Sequence, residues 1–82
     1  MKEQIIEFIN SELLNSQIEI TAQDDLLING PVDSLGVMRL VTFIEQTFDI
    51  VVPPEDITIE TFLNVDAIVK YLGEKAGNGH ET

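Results

Sequence analysis

One hydroxyl stands out in this chain because it lies where a turn runs into a strongly apolar helix. Residues 30–36 read Gly-Pro-Val-Asp-Ser-Leu-Gly, so Ser34 follows the carboxylate of Asp33 and precedes the apolar Leu35. The first turn of a helix has unpaired backbone N–H groups and a partial positive charge. A phosphate attached to Ser34 would therefore be favourably placed. The position also suits an ordinary helix N-cap, a role that either Ser34 or Asp33 can fill.

Three stretches of the chain place their apolar residues at helical spacing and must hold this hydroxyl in place. The core faces expected for them are Ile5, Ile6, Ile9 and Leu13; Val37, Leu40, Val41, Ile44 and Phe48; and Val65, Ile68, Val69 and Leu72. We expect the first helix to span residues 2–14 and the second to end at Asp49. Asn64 is the expected cap of the last helix and Gly73 its stop.

The prediction for the fold is all-α, a small four-helix bundle with three long helices and a long loop between helices 1 and 2. Residues 55–62 fit a short third helix, which follows the helix-blocking pair Pro53-Pro54. The loop, residues 17–33, contains apolar residues that we expect to anchor it to the core, and residues 21–25 fit a single helical turn. These anchors are Ile18, Ile20, Leu26, Leu27 and Ile28.

Composition limits the classes of function. The chain has 82 residues, no cysteine and a formal net charge of -11, with fifteen acidic residues and four basic ones. This charge argues against nucleic acids and anionic membranes as partners and suits docking onto basic patches of other proteins. No apolar run approaches the roughly 20 residues that span a bilayer. We expect a soluble, cytoplasmic monomer with one domain, residues 1–73, and a flexible tail, residues 74–82.

Other candidate sites are weak. Asp24, Asp25, Asn29 and Asp33 are clustered acids and amides, but residues 26–28 between them are apolar, which excludes a calcium-binding EF-hand loop. Weak cation binding remains an alternative there. His80 has no second histidine or cysteine nearby, and Glu55-Asp56 is typical of a solvated helix start. With no visible pair of nucleophile and base, we predict no metal site and no enzyme activity.

Three ordered pieces of the chain resemble the acyl carrier and peptidyl carrier protein family, in particular its free-standing members. They are residues 25–36, which resemble the loop and modification site; residues 48–56, which resemble the link out of the second helix; and residues 62–72, which resemble the last helix. Three pieces in order, over roughly residues 1–73, are more specific than the Asp-Ser-Leu triplet alone.

The resemblance implies that Ser34 receives 4′-phosphopantetheine from coenzyme A, through a separate Mg²⁺-dependent phosphopantetheinyl transferase. The terminal thiol of that arm would then carry an acyl or aminoacyl group as a thioester to loading and processing enzymes. Asp33 would present Ser34 to the transferase or contact its metal, although capping the helix is an equal alternative. Leu35 and Met38 would dock partners, unless they pack beneath the long loop.

The chain departs from the fatty-acid carriers in one respect. Their second helix resembles an acidic docking surface, whereas this one has Arg39 near its start and Glu45 as its one acid before Asp49. The departure favours a specialised pathway over primary fatty-acid synthesis: secondary-metabolite synthesis, an aminoacyl carrier or a D-alanyl carrier. The alternative from another class is a helical adaptor that binds a partner protein without any prosthetic group.

Overall fold

The computed structural model describes residues 1–15, 19–28 and 30–81, with side chains described up to residue 75. Three α-helices carry the fold: α1 (Lys2–Phe8), α2 (Ser34–Phe48) and α3 (Val65–Glu81). A π-helical segment, Ile9–Leu13, extends α1, and a short 3-10 helix, Pro54–Asp56, precedes the last part of the chain. The described residues form no strand, and none of their helices is long and apolar enough to cross a membrane.

The predicted core faces largely agree with the structure. The three helices meet through a buried apolar cluster, and nine of the thirteen residues expected on the three faces belong to it. Its members from the helical segments are Ile5, Ile9, Val37, Leu40, Val41, Ile44, Val65, Ile68 and Leu72. Ile6, Leu13, Phe48 and Val69 are partly buried against this cluster. Burial follows helical periodicity because residues three and four apart share one face of a helix.

The predicted helix boundaries agree at three points. Asn15 adopts a left-handed backbone (φ 53°) directly after the π-helical segment, and Asp49 does so (φ 55°) after α2. Asn and Asp tolerate this conformation better than most residues, which suits them to helix ends. Asn64 caps α3, since its side-chain oxygen accepts a hydrogen bond from the Ala67 amide at 2.7 Å.

Two helix predictions were wrong. Residues 55–62 do not form a third helix; the 3-10 helix Pro54–Asp56 gives way to bends and turns, so the count of four helices is not confirmed. This stretch is rich in β-branched residues, which lose side-chain freedom in a helix. The Thr58 hydroxyl and carbonyl accept the amides of Thr61 and Phe62, which closes a single turn. The stop at Gly73 was also wrong, because α3 continues to Glu81.

The helix continues past Gly73 because one glycine in a helix interior costs only about 1 kcal/mol relative to alanine, which does not by itself end a helix. No glycine in the described part of the chain has a positive φ, the feature that marks a glycine helix end. The mobility of residues 74–82 is a separate matter and stays a prediction.

The long loop is anchored by its apolar residues and by backbone hydrogen bonds to the rest of the fold. Ile20, Ala22, Leu26 and Val32 are buried. The Leu26 amide donates to the Leu63 carbonyl at 2.8 Å, and the Asp66 amide donates to the Ala22 carbonyl at 3.0 Å. The helical turn expected over residues 21–25 is a non-helical turn, closed by a Thr21 and Asp24 backbone hydrogen bond.

Two of the predicted anchors need comment. Ile28 is 64% exposed and does not anchor the loop, because Asp25 turns the chain outward by accepting the amides of Leu27 and Ile28, each at 3.0 Å. Ile18 lies outside the described residues, as do Ser16, Gln17 and Asn29.

A polar cluster joins α1, the loop and α3, and it predicts a pH effect on stability. Asp66 accepts from Lys2 (3.1 Å) and Gln23 (2.8 Å), and these bonds lower the pKa of Asp66 below its usual value. A carboxylate with a lowered folded-state pKa stabilises above its unfolded pKa, about 3.9 for Asp, and loses this contribution as pH falls through the folded value. We expect urea unfolding to show that Asp66→Asn destabilises the protein at pH 6 and progressively less below pH 4.

Glu60→Gln is the matched control for that experiment, since it removes the same charge from an exposed side chain. A difference between wild type and Asp66→Asn that stays constant from pH 6 to pH 3 would contradict the assigned role of this carboxylate.

Candidate functional site

The start of α2 is capped by Asp33, so the interpretation of Ser34 as the N-cap was wrong. Asp33 has an extended backbone (φ −97°, ψ −177°), and its Oδ1 accepts a hydrogen bond from the Gly36 amide at 2.8 Å. Its carbonyl accepts from the Val37 amide at 2.9 Å. A side-chain cap of this kind contributes about 1 kcal/mol to helix stability. Ser34 is therefore the first residue inside the helix and has no capping role.

The hydroxyl of Ser34 is left available for chemistry. Ser34 is exposed, and among the described residues its side chain has no hydrogen-bond partner. By contrast, the hydroxyls of Ser11 and Thr42 donate to carbonyls of their own helices, at 2.7 and 3.1 Å. A free hydroxyl at a helix N-terminus is accessible to an enzyme and sits beside the positive end of the helix dipole.

Ser34 opens onto a cleft between α2 and the segment that follows the 3-10 helix. The cleft has a volume of about 480 Å³, within the range of ligand pockets. Asp33 and Ser34 lie on its lining together with Thr58, and the other lining residues are apolar. They are Leu27, Val32, Val37, Met38, Ile57 and Ile59. The arrangement joins one reactive oxygen to a mainly apolar space large enough for part of a small molecule.

Leu35 and Arg39 lie on the other side of the helix start. They line a smaller pocket of about 200 Å³, which also includes Asp33. Leu35 is 71% exposed and Met38 is 51% exposed, so neither is packed beneath the long loop. Arg39 is also exposed, and its guanidinium donates to the Glu12 carbonyl at 3.3 Å. The five predicted site residues therefore cluster at the start of α2 but divide between two neighbouring pockets.

Gly30 lets the loop come close enough to place this site. A Cβ built on Gly30 would overlap the carbonyl oxygen of Asp25 and backbone atoms of Leu26. The Val32 amide then donates to the Leu26 carbonyl at 2.9 Å, which fixes the chain just before Asp33. Gly36 is also tightly surrounded, since a Cβ there would lie 3.0 Å from the Val32 side chain and 3.3 Å from the capping oxygen of Asp33.

Sequence reasoning missed the wall of the cleft opposite α2, formed by residues 57–59, and the contacts that hold it. Ile57, Thr58 and Ile59 face the start of α2, although their order in the chain gives no signal of this. Just before them, Asp56 accepts a hydrogen bond from the Tyr71 hydroxyl at 2.6 Å. Burial, and then the bond to Asp56, raise the pKa of Tyr71 well above its usual value, so the hydroxyl remains a donor at neutral pH.

The acids of the loop do not converge in the described part of the chain. No group of three histidine, cysteine, aspartate or glutamate side chains there is arranged to hold a metal ion. Asp24 is used locally, accepting the Thr21 amide at 2.8 Å, and Asp33 caps α2. Asn29 and the side chain of His80 are outside the described residues.

A family model described as "Phosphopantetheine attachment site" matches residues 3–72. The match includes nearly all of α1, the loop, α2, both walls of the cleft and α3 as far as residue 72, and Ser34 lies within it. No solved structure matches the chain.

Proposed function

Because the chain belongs to the phosphopantetheine attachment-site family, whose members are non-catalytic acyl and peptidyl carriers with a covalently attached 4′-phosphopantetheine, we propose that Ser34 holds this group. The supporting observation is the exposed, unpartnered hydroxyl of Ser34 at the mouth of an apolar cleft. Asp33 takes over the capping of α2, so Ser34 can react without the helix losing its cap. The residues present therefore fit the group.

The attachment reaction is a phosphoryl transfer from coenzyme A. Ser34 Oγ forms a bond to the phosphorus that carries the pantetheine arm, and the bond from that phosphorus to adenosine 3′,5′-bisphosphate breaks. The serine proton passes to a base of the transferase, whose Mg²⁺ offsets charge on the phosphates. The resulting phosphodiester carries one negative charge beside the N-terminus of α2, which stabilises it by about 0.3–1 kcal/mol at an exposed site.

The prosthetic group supplies a terminal thiol that carries an acyl or aminoacyl cargo as a thioester. The chain contributes the cleft beside Ser34, where Val37, Met38 and Ile57 offer apolar surface to such a cargo. Excluding water from an apolar cargo is favourable by roughly 25 cal/mol per Å² buried. The proposed function is delivery of such intermediates to successive partner enzymes, by a monomer in the cytoplasm where coenzyme A is available.

The exposed face of α2 supports a docking role for Leu35, Met38 and Arg39. Leu35 and Met38 are apolar yet exposed, and Arg39 places a positive charge next to them. The acid of α2, Glu45, is turned to the fold and accepts the Val52 amide at 2.9 Å. In a chain of net charge -11, the one carboxylate of α2 is therefore bonded to the fold. The face supports a specialised pathway, with a secondary metabolite, an aminoacyl or a D-alanyl group as cargo.

The carrier function can be tested on the unmodified protein. Incubation with coenzyme A, Mg²⁺ and a broad-specificity phosphopantetheinyl transferase should add the mass of one phosphopantetheine in the intact-mass spectrum. No gain, with a transferase that modifies a control carrier in parallel, would overturn the proposal and favour a non-covalent adaptor. The mass of the group loaded in cells then identifies the cargo class.

The docking role of Met38 gives a separate prediction. Met38→Glu places a charge in an apolar contact, which at an interface hot spot costs more than 1 kcal/mol. We expect the transferase KM to rise roughly tenfold, equivalent to about 1.4 kcal/mol, with the thermal midpoint little changed. Gln46→Glu, an exposed change on the same helix with the same added charge, is the matched control. Equal kinetics for both variants would remove Met38 from the docking surface.

A further inference from the structure

The cleft beside Ser34 has two unlike walls. On one side, Val37 and Met38 belong to the continuous 15-residue helix α2. On the other side, Ile57, Thr58 and Ile59 belong to a non-helical stretch, and Ile59 is 58% exposed. We call residues 57–59 the far wall. A helical wall has a fixed position, whereas a non-helical one takes its position from whatever holds its ends.

The near end of the far wall is held by Asp56. One carboxylate oxygen of Asp56 accepts the Tyr71 hydroxyl at 2.6 Å and lies 3.7 Å from the Lys75 ammonium group. The carbonyl of Asp56 accepts the Thr58 amide at 3.0 Å, so the backbone of the far wall starts from this residue. Tyr71 and Lys75 are one turn apart on α3 and also contact each other, with the ammonium 6.0 Å from the ring centre. We call Asp56, Tyr71 and Lys75 the clasp.

The remaining hydrogen bonds of the far wall are local, and Ile57 is also partly buried against the core. The Ile57 amide donates to Pro54 at 3.1 Å, within the same short segment. The Thr58 hydroxyl bonds Thr61, three positions along the chain, and the Thr58 carbonyl accepts the Phe62 amide at 3.1 Å, both within the same irregular stretch. Among the described side chains, the clasp is thus the polar link between the start of the far wall and a long helix. A hydrogen bond to a charged group is stronger than one between neutral groups, which favours one position of this short segment.

We propose that Tyr71, acting through Asp56, is a positioning residue that sets the width of the cleft beside Ser34 and so determines how well an apolar cargo is sheltered. The proposal rests on the proposed carrier function and adds a residue that the cleft itself does not include. Tyr71 is not among the residues that line the cleft. Tyr71 acts by fixing the position of the far wall. The width of the cleft then determines which length of cargo chain is sheltered.

Tyr71→Phe is the first test because it removes the hydroxyl and keeps the ring. In the unmodified protein, we expect the amides of Ile57 and Thr58 to exchange with deuterium at least threefold faster than in wild type. Gln23→Ala is the matched control. It too deletes a side-chain hydrogen bond to an aspartate, in this case the 2.8 Å bond to Asp66 on α3, away from the cleft. Unchanged exchange at Ile57 and Thr58 in Tyr71→Phe would overturn the proposal.

The second test uses the protein loaded with acetyl or octanoyl phosphopantetheine from the corresponding acyl coenzyme A. In wild type, we expect the octanoyl thioester to hydrolyse several-fold more slowly than the acetyl thioester. In Tyr71→Phe, we expect this ratio of the two hydrolysis rates to fall by at least half. Gln23→Ala should keep the ratio even if its unfolding midpoint falls. A ratio near one in wild type, or an unchanged ratio in Tyr71→Phe, would overturn the positioning role while leaving attachment to Ser34 intact.

Asp56→Asn provides a second variant that keeps the shape of the side chain. Its amide oxygen still accepts from Tyr71, but the charge that pairs with Lys75 is gone. We expect an intermediate loss of the octanoyl to acetyl ratio. Failure of the carrier proposal has a different signature, because no mass would then be added to the wild-type protein.

Discussion

Ser34→Ala is expected to abolish the gain of one phosphopantetheine completely, because the replacement removes the oxygen that forms the new bond to phosphorus. The side chain is exposed and Asp33 supplies the cap, so the fold loses little. Surface changes of this kind usually alter the free energy of unfolding by no more than about 0.5 kcal/mol. Intact-mass spectra before and after transferase treatment, with circular dichroism to confirm the fold, measure both parts of this expectation.

Two control variants make the result specific. Ser11→Ala removes a hydroxyl that is bonded to Glu7 on α1, away from the cleft, and should leave the mass gain unchanged. Thr58→Val removes the other hydroxyl on the cleft lining, which is already bonded to Thr61. This variant should also gain the mass of one phosphopantetheine. A full mass gain in Ser34→Ala would reject this residue as the attachment point, and peptide mapping would then identify the residue that carries the group.

Gly30→Ala should produce the largest loss of stability among the variants considered. Its Cβ would overlap the carbonyl of Asp25 and the backbone of Leu26, which are not free to move as a long side chain would be. Leu26 is buried, and its carbonyl accepts the Val32 amide. Forcing atoms into a packed region costs about 1–3 kcal/mol. In a domain of this size, 3 kcal/mol lowers the thermal midpoint by roughly 12–24 °C.

Gly73→Ala is the matched control for the same substitution. A Cβ at Gly73 meets nothing within 4 Å, and alanine favours a helix over glycine by about 1 kcal/mol. Its midpoint should therefore equal or exceed that of wild type in the same thermal scan. If Gly30→Ala unfolds at the same temperature as wild type, Gly30 does not lie as close to the Asp25–Leu26 backbone as the structure places it.

The helices near the site follow from the sequence because their signals are local. The spacing of Val37, Leu40, Val41 and Ile44 predicts one buried face of α2, and each of these residues is buried. A left-handed residue such as Asp49, or a cap such as Asn64, acts within three or four residues of itself. The position of Ser34 at the start of α2 could be predicted in the same way.

Interactions between distant parts of the chain could not be predicted. Tyr71 and Asp56 are 15 positions apart, and neither residue type nor spacing indicates that they bond. Residues 55–62 are compatible in sequence with a short helix, yet their β-branched side chains disfavour one, and the stretch closes a single turn from Thr58 to Phe62. Ile28 looked like an anchor because it is apolar, but the turn at Asp25 decides its exposure.

The division of tasks between Asp33 and Ser34 bears on how the unmodified and modified proteins relate to each other. The carboxylate of Asp33 secures the first turn of α2 by itself. Adding a bulky substituent to the next residue then breaks no contact on which folding depends. Both forms should share one architecture, so a partner enzyme would distinguish them by touching the attached arm and not by sensing a rearranged backbone.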